Sequence, residues 1–120
     1  MYYGVAYYPE HKTPEELDHD ITLLIESGIN TVRMGEFAWC RMEPKEGEYH
    51  FEWLEDAVRR LGEAGIRSII CTPTACPPAW LVHAHPEVLY VDNRGQERPF
   101  GGRRFYCYNN PVYRLSLIHI

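Results

Sequence analysis

Apolar and polar positions alternate along this chain in two rhythms that take turns. Tyr3-Gly-Val-Ala-Tyr-Tyr8 is a short apolar run of aromatic and β-branched residues closed by Pro9, the composition of a buried first strand. Leu17, Ile21, Leu24 and Ile25 then fall on one stripe of a helix, with its start written in Thr13-Pro-Glu-Glu16. Thr13 caps free backbone N–H groups, Pro14 suits the first helical position, and Glu16 completes a capping box at the positive end of the dipole. Gly28 stops that helix by taking a left-handed backbone. A second strand is predicted at Ile29 to Met34. The same grammar repeats: Trp53, Leu54, Ala57, Val58, Leu61 and Ala64 form the core face of a second helix, Gly65 ends it, and Ile66 to Thr72 reads as a third strand. Strand, helix, strand, helix, strand implies an α/β fold with right-handed crossovers and a parallel sheet covered by helices.

Beyond Thr72 the order loosens. Pro73, Pro77 and Pro78 break the backbone, Pro78 to His83 suits a short helix, and Leu89 to Arg98 reads as a small hairpin turning near Asn93 to Gly95. Such a long excursion after a strand is where α/β proteins usually hold ligands.

With 120 residues, 45% hydrophobic and 24% charged, the chain has the make-up of a single soluble domain able to bury a core. The net charge is −5 and Lys and Arg are scattered, which argues against nucleic acid or an anionic membrane surface as partner and favours a small neutral one. No apolar run approaches the ~20 residues of a membrane span, and Met1-Tyr-Tyr-Gly lacks a basic leader, so a cytoplasmic location is expected. The four cysteines show no C-x-x-C spacing and read mostly as small buried hydrophobes.

The segment Arg33-Met-Gly-Glu-Phe-Ala-Trp-Cys-Arg-Met-Glu-Pro44 adds candidate chemistry. Arg33 and Glu36 fall at the carboxyl end of the second strand, the edge where parallel-sheet enzymes assemble their sites. The plain alternative is an ion pair of Arg33 with Glu36 or Glu10, with Trp39 filling the loop. Neither Glu10 nor Glu36 is assigned a catalytic role. Trp39 and Tyr7 have faces suited to stacking on a sugar, although an aromatic in such a loop more often simply packs.

The blocks GVAYYPEH, NTVRMGEFAW, RMEPKEGEYHFEWLEDAV, CTPTACPPAWL, HPEVL and FGGRRFYCYNNPVYR resemble, in order and spacing, the amino-terminal part of the catalytic barrel of glycoside hydrolase family 42, the β-galactosidases. The resemblance implies that residues 1–114 form an incomplete (β/α)8 TIM barrel, three parallel strands with helices plus the hairpin excursion. It also implies retaining hydrolysis of terminal β-D-galactosides, and often a homotrimer. That chemistry needs two carboxyl groups about 5–5.5 Å apart, one an acid/base and one a nucleophile. In the family the acid/base glutamate follows an asparagine at the end of the fourth strand and the nucleophile ends the seventh. The two-carboxyl chemistry that the resemblance implies requires no cofactor, and because this sequence has no Asn-Glu pair no catalytic residue is assigned. Arg103 matches the family arginine that hydrogen-bonds galactose, and Arg33 is expected to line the same pocket. Cys107 matches the first of four thiolate ligands in members with a zinc cluster, so a structural zinc is expected in a full-length protein only.

After Arg114 the family continues into a charged amphipathic helix, whereas Leu115-Ser-Leu-Ile-His-Ile120 carries no Asp, Glu, Lys or Arg. A buried strand could have that composition, but Pro111 marks the start of a helix, so residues 115–120 read as a foreign or truncated tail. Three strands leave two open sheet edges, so the isolated piece is expected to be partly unfolded or self-associating. A non-catalytic module binding sugar or protein through the same loops is the alternative reading.

Overall fold

The computed structural model describes residues 1–118. They form two compact units, Met1–Gly35 with Phe51–Cys71, and Glu36–His50 with Thr72 onward.

The first unit holds β1 (Gly4–Ala6), α1 (Pro14–Glu26), β2 (Thr31–Met34), α3 (Glu52–Glu63) and β3 (Arg67–Ile70). The three strands are parallel in the order β1-β2-β3, with Val5 opposite Val32 and Val32 opposite Ser68. The sheet is therefore the βαβαβ unit that the alternation of apolar runs predicts. Helix α1 starts as its sequence dictates: the Thr13 side chain accepts from the Glu16 amide at 3.2 Å while the Glu16 carboxylate accepts from the Thr13 amide at 2.8 Å. It ends on Gly28 at φ 71°, where Gly28 N–H donates to Ile25 and Ile29 N–H to Leu24. Helix α3 closes identically, with Gly65 N–H on Gly62 and Ile66 N–H on Leu61. These paired bonds satisfy carbonyls at the helix end and require a left-handed residue that glycine supplies without strain.

Leu17, Ile21 and Leu24 of α1 and Leu54, Ala57 and Leu61 of α3 are buried, as is Val32 in the middle strand. Two expectations are corrected. Gly4, Val5 and Ala6 are all exposed, because an edge strand has no neighbour on one side and an apolar composition does not itself provide cover. Ile25 is also exposed; it adjoins the buried Leu24 but points off the stripe set by Leu17, Ile21 and Leu24, which are spaced by four and three residues. A short 3₁₀ turn, Pro9–His11, follows β1, and Tyr7, buried, donates its hydroxyl to Asp20 at 3.0 Å. Burial pushes the Asp20 carboxyl up, but hydrogen bonds from Lys12 and Tyr7 outweigh this and hold it below its usual range.

The second unit contains α2 (Trp39–Met42), α4 (Ala79–Ala84) and α5 (Pro111–Ile118). Its core gathers Trp39, Leu81, Val82, Val88, Leu89, Tyr106 and Tyr113. The hairpin is present as a single antiparallel bridge, Val91 with Glu97, in place of continuous strands, and a further bridge joins Leu89 to Tyr106 beyond it. Its turn is held by Asp92, whose carboxylate accepts from the amides of Arg94 and Gln96 at 2.9 and 3.0 Å. Pro111 does begin a helix, capped by the Asn110 side chain, which accepts from Tyr113 N–H at 3.0 Å. The expected tail enters this helix, while its residues 119–120 lie outside the described residues.

Candidate functional site

Arg103 stands in a segment whose backbone is tightly specified. A Cβ on Gly102 would lie 1.8 Å from Cδ2 of Phe105, so any larger residue before the arginine requires the Phe105 ring to move. Arg104 takes φ 62°, the one left-handed residue other than glycine among those described, and its N–H donates to Ala75 at 3.1 Å. Non-glycine residues held in that region cost of order 1–3 kcal/mol and cluster where a site fixes its geometry.

The Arg103 side chain is 56% exposed and that of Glu36 10%, and one guanidinium nitrogen lies 3.5 Å from Oε1 of Glu36. The guanidinium carbon also stands 5.0 Å from the centre of the Phe37 ring. A carboxylate on one side and an aromatic face on another hold the planar group, leaving N–H donors toward solvent. Glu36 is therefore a partner of Arg103.

Arg33 belongs to the first unit. It is exposed on β2 and lines an open cavity of about 250 Å³ with Gly4, Val5, Ala6, Thr31 and Ile69. Its backbone carbonyl accepts from Tyr7 N–H at 2.8 Å.

Trp39 is wholly buried, and its indole N–H donates to Oε2 of Glu43 at 2.9 Å; it packs in the core, and its ring face is not offered to a ligand. Glu43 was not singled out by sequence. It is buried, its Oε1 accepts from Gly47 N–H at 2.9 Å, and its backbone carbonyl accepts from the Trp80 indole at 2.9 Å. The carboxylate clasps the Trp39 indole to the Gly47 amide, while the backbone carbonyl of the same residue holds the Trp80 indole. The only local signal for it was an acid lodged between apolar residues four positions before a glycine.

Cys107 is half-buried and free. It borders a cavity of about 400 Å³ shared with Arg104, Phe105, Tyr106 and Tyr108. Among the described residues no three His, Cys, Asp or Glu side chains are grouped to hold a metal ion. The residues present thus do not make a zinc site around Cys107. The Cys76 thiol is pushed up by burial and then by Cys40, with a hydrogen bond to Tyr106 acting in the opposite sense.

The three parallel strands β1-β2-β3, joined through helices, make a βαβαβ unit, the building block of open α/β sheets and (β/α)8 barrels, in which ligands gather at the carboxyl ends of the strands. Residues 6–120 match the sequence profile of glycoside hydrolase family 42, described as Beta-galactosidase. The chain belongs to that family. It is 49% identical over 114 residues to beta-galactosidase BgaH of Haloferax lucentense, covering 95% of this chain and 17% of the relative. It is 48% identical over 111 residues to a beta-galactosidase of Thermus thermophilus, again 17% of that protein's length. The crystal structure of beta-galactosidase from the psychrophilic Marinomonas ef1 superposes with a TM-score of 0.92 at 42% identity, covering 99% of this chain and 18% of that one. The chain therefore spans about 17% of the length of the curated relatives it matches, and its fold is an incomplete, amino-terminal part of their (β/α)8 barrel. Among the described residues no helix is long and apolar enough to cross a membrane.

Proposed function

We propose that this chain supplies the first three strand–helix units of a retaining β-galactosidase acting on terminal β-D-galactosides, and that it carries sugar contacts but not the reacting carboxyl groups. The observation that carries the reading is Arg103, a guanidinium fixed by Glu36 and Phe37 in a segment of specified backbone, with its free donors exposed. Each bond from such a group to a sugar hydroxyl contributes about 1.5–3 kcal/mol. Arg33 serves as a second contact. The pair of carboxyl groups that the reaction requires about 5–5.5 Å apart comes from strands beyond this segment. The substrate is a small neutral galactoside. Cys107 contributes one thiolate to a structural zinc cluster only in a full-length protein, where the other three ligands are available. The full-length protein is a cytoplasmic homotrimer.

The test is a hybrid enzyme in which these 120 residues replace the matching segment of the Marinomonas β-galactosidase. The hybrid should hydrolyse p-nitrophenyl β-galactoside, and the isolated chain should not. Arg103→Met should lower kcat/KM of the hybrid on the order of ten- to hundredfold. A hybrid indifferent to Arg103→Met would refute the sugar-contact role.

A further inference from the structure

We propose that Glu36 is a specificity-determining residue: by neutralising Arg103 it keeps the site for uncharged sugars and turns away galactosides that carry a carboxylate or phosphate. This rests on the reading of Arg103 as a sugar contact.

An unpaired arginine binds anions better than hydroxyls. Its planar fork matches carboxylate and phosphate in two-point contacts, and a positive charge draws such ligands from a distance. Arg103 is not in that condition. Glu36 lies 3.5 Å from it, and the carboxylate is the more buried partner, 10% exposed against 56%. The acid is thus anchored in the protein while the arginine faces outward. The pair carries no net charge but keeps its outward N–H donors. A neutral hydroxyl gains a hydrogen bond there, whereas an anionic substituent meets the Glu36 carboxylate close behind the guanidinium. Repulsion built against the wrong ligand is a recognised route to discrimination.

The surroundings favour the pairing of Arg103 with Glu36. Phe37 supports the guanidinium at 5.0 Å. Gly102 is packed against Phe105 and Arg104 is held at φ 62° with its N–H on Ala75, so the backbone on either side of Arg103 is fixed. A backbone held in this way sets the Arg103 side chain down beside the Glu36 carboxylate.

The experiment compares inhibition by galactose and by galacturonate in the hybrid enzyme at low salt, for the parent, Glu36→Gln, Glu36→Asp and Arg103→Met. Glu36→Gln keeps the shape and removes the charge. It should strengthen galacturonate inhibition about tenfold and weaken galactose inhibition by about two- to fivefold, with KM moving more than kcat. High salt should narrow the gained preference for the anion. Glu36→Asp retains a charge on a shorter arm and should go on excluding galacturonate, which keeps the test available if the glutamine variant folds poorly. An unchanged ratio of the two inhibition constants in Glu36→Gln, or entry of galacturonate into Glu36→Asp, would overturn the proposal. Loss of galactose inhibition in Arg103→Met supports the underlying contact. If that variant instead binds galactose as the parent does, the sugar-contact reading fails first and takes the proposal with it.

Discussion

Replacing Glu43 by alanine should loosen one loop without disturbing the helix–sheet unit. Its two carboxylate oxygens accept from the Trp39 indole and the Gly47 amide, each at 2.9 Å, and the residue is 3% exposed. Hydrogen bonds to a charged group contribute about 1.5–3 kcal/mol each, and donors left buried without an acceptor add an uncompensated desolvation penalty. With tenfold in an equilibrium for each 1.4 kcal/mol, protection of the Gly47 amide should fall on the order of ten- to hundredfold. Hydrogen exchange read by mass spectrometry on peptides spanning 44–50 of the hybrid enzyme measures this, with the α3 peptide as the internal control. Glutamine at the same position keeps one acceptor oxygen but puts an NH₂ group where the second stood, so Glu43→Gln should produce a smaller loss. Unchanged exchange at Gly47 in the alanine variant, or equal acceleration throughout α3, would refute the idea of a local clasp.

Thr13→Ala removes one half of the capping box at α1, at a cost of about 1 kcal/mol, and should speed exchange of the Glu16 amide about fivefold. Gly102→Ala forces a Cβ to within 1.8 Å of Phe105; the segment must shift, and KM for a galactoside should rise severalfold or more while α1 and α3 keep their exchange rates. Burial, and after it the neighbouring Cys76, push the Tyr106 phenol up to about 12. Its value in the unfolded chain is about 10, so the stability it supports is complete below pH ~10 and is lost as pH rises through the folded value. The melting temperature should therefore drop above pH ~10, and Tyr106→Phe should reduce that drop. An alkaline profile unaltered by the phenylalanine would remove Tyr106 as its source.

Local signals in this sequence translate directly into structure. Thr13, Pro14, Glu16 and Gly28 act within one turn of where they stand, and so the limits of α1 are legible; Gly65 and Pro111 work in the same way. The parallel order of strands follows from the alternation because a crossover helix leaves little choice of neighbour. Features that depend on distant partners were not legible. The exposure of Val5 is set by what flanks the sheet, not by its own side chain. Glu36 meets Arg103, 67 positions later (103 − 36), a contact that no local spacing announces. Glu43 resembles any surface acid until the fold brings two tryptophans and the Gly47 amide around it. The indole of Trp39, a tempting sugar platform, is consumed by that same arrangement.

The two helix endings at Gly28 and Gly65 lie 37 residues apart (65 − 28) and use the same pair of bonds, and each is followed at once by a strand that pairs with the strand made before it. This has a consequence for synthesis on the ribosome. β2 finds β1 already outside the exit tunnel, and β3 finds β2, so neither waits for sequence still to be translated. The sheet can grow in the direction of translation, one stroke per strand–helix unit, with the growing edge always presented by the newest strand.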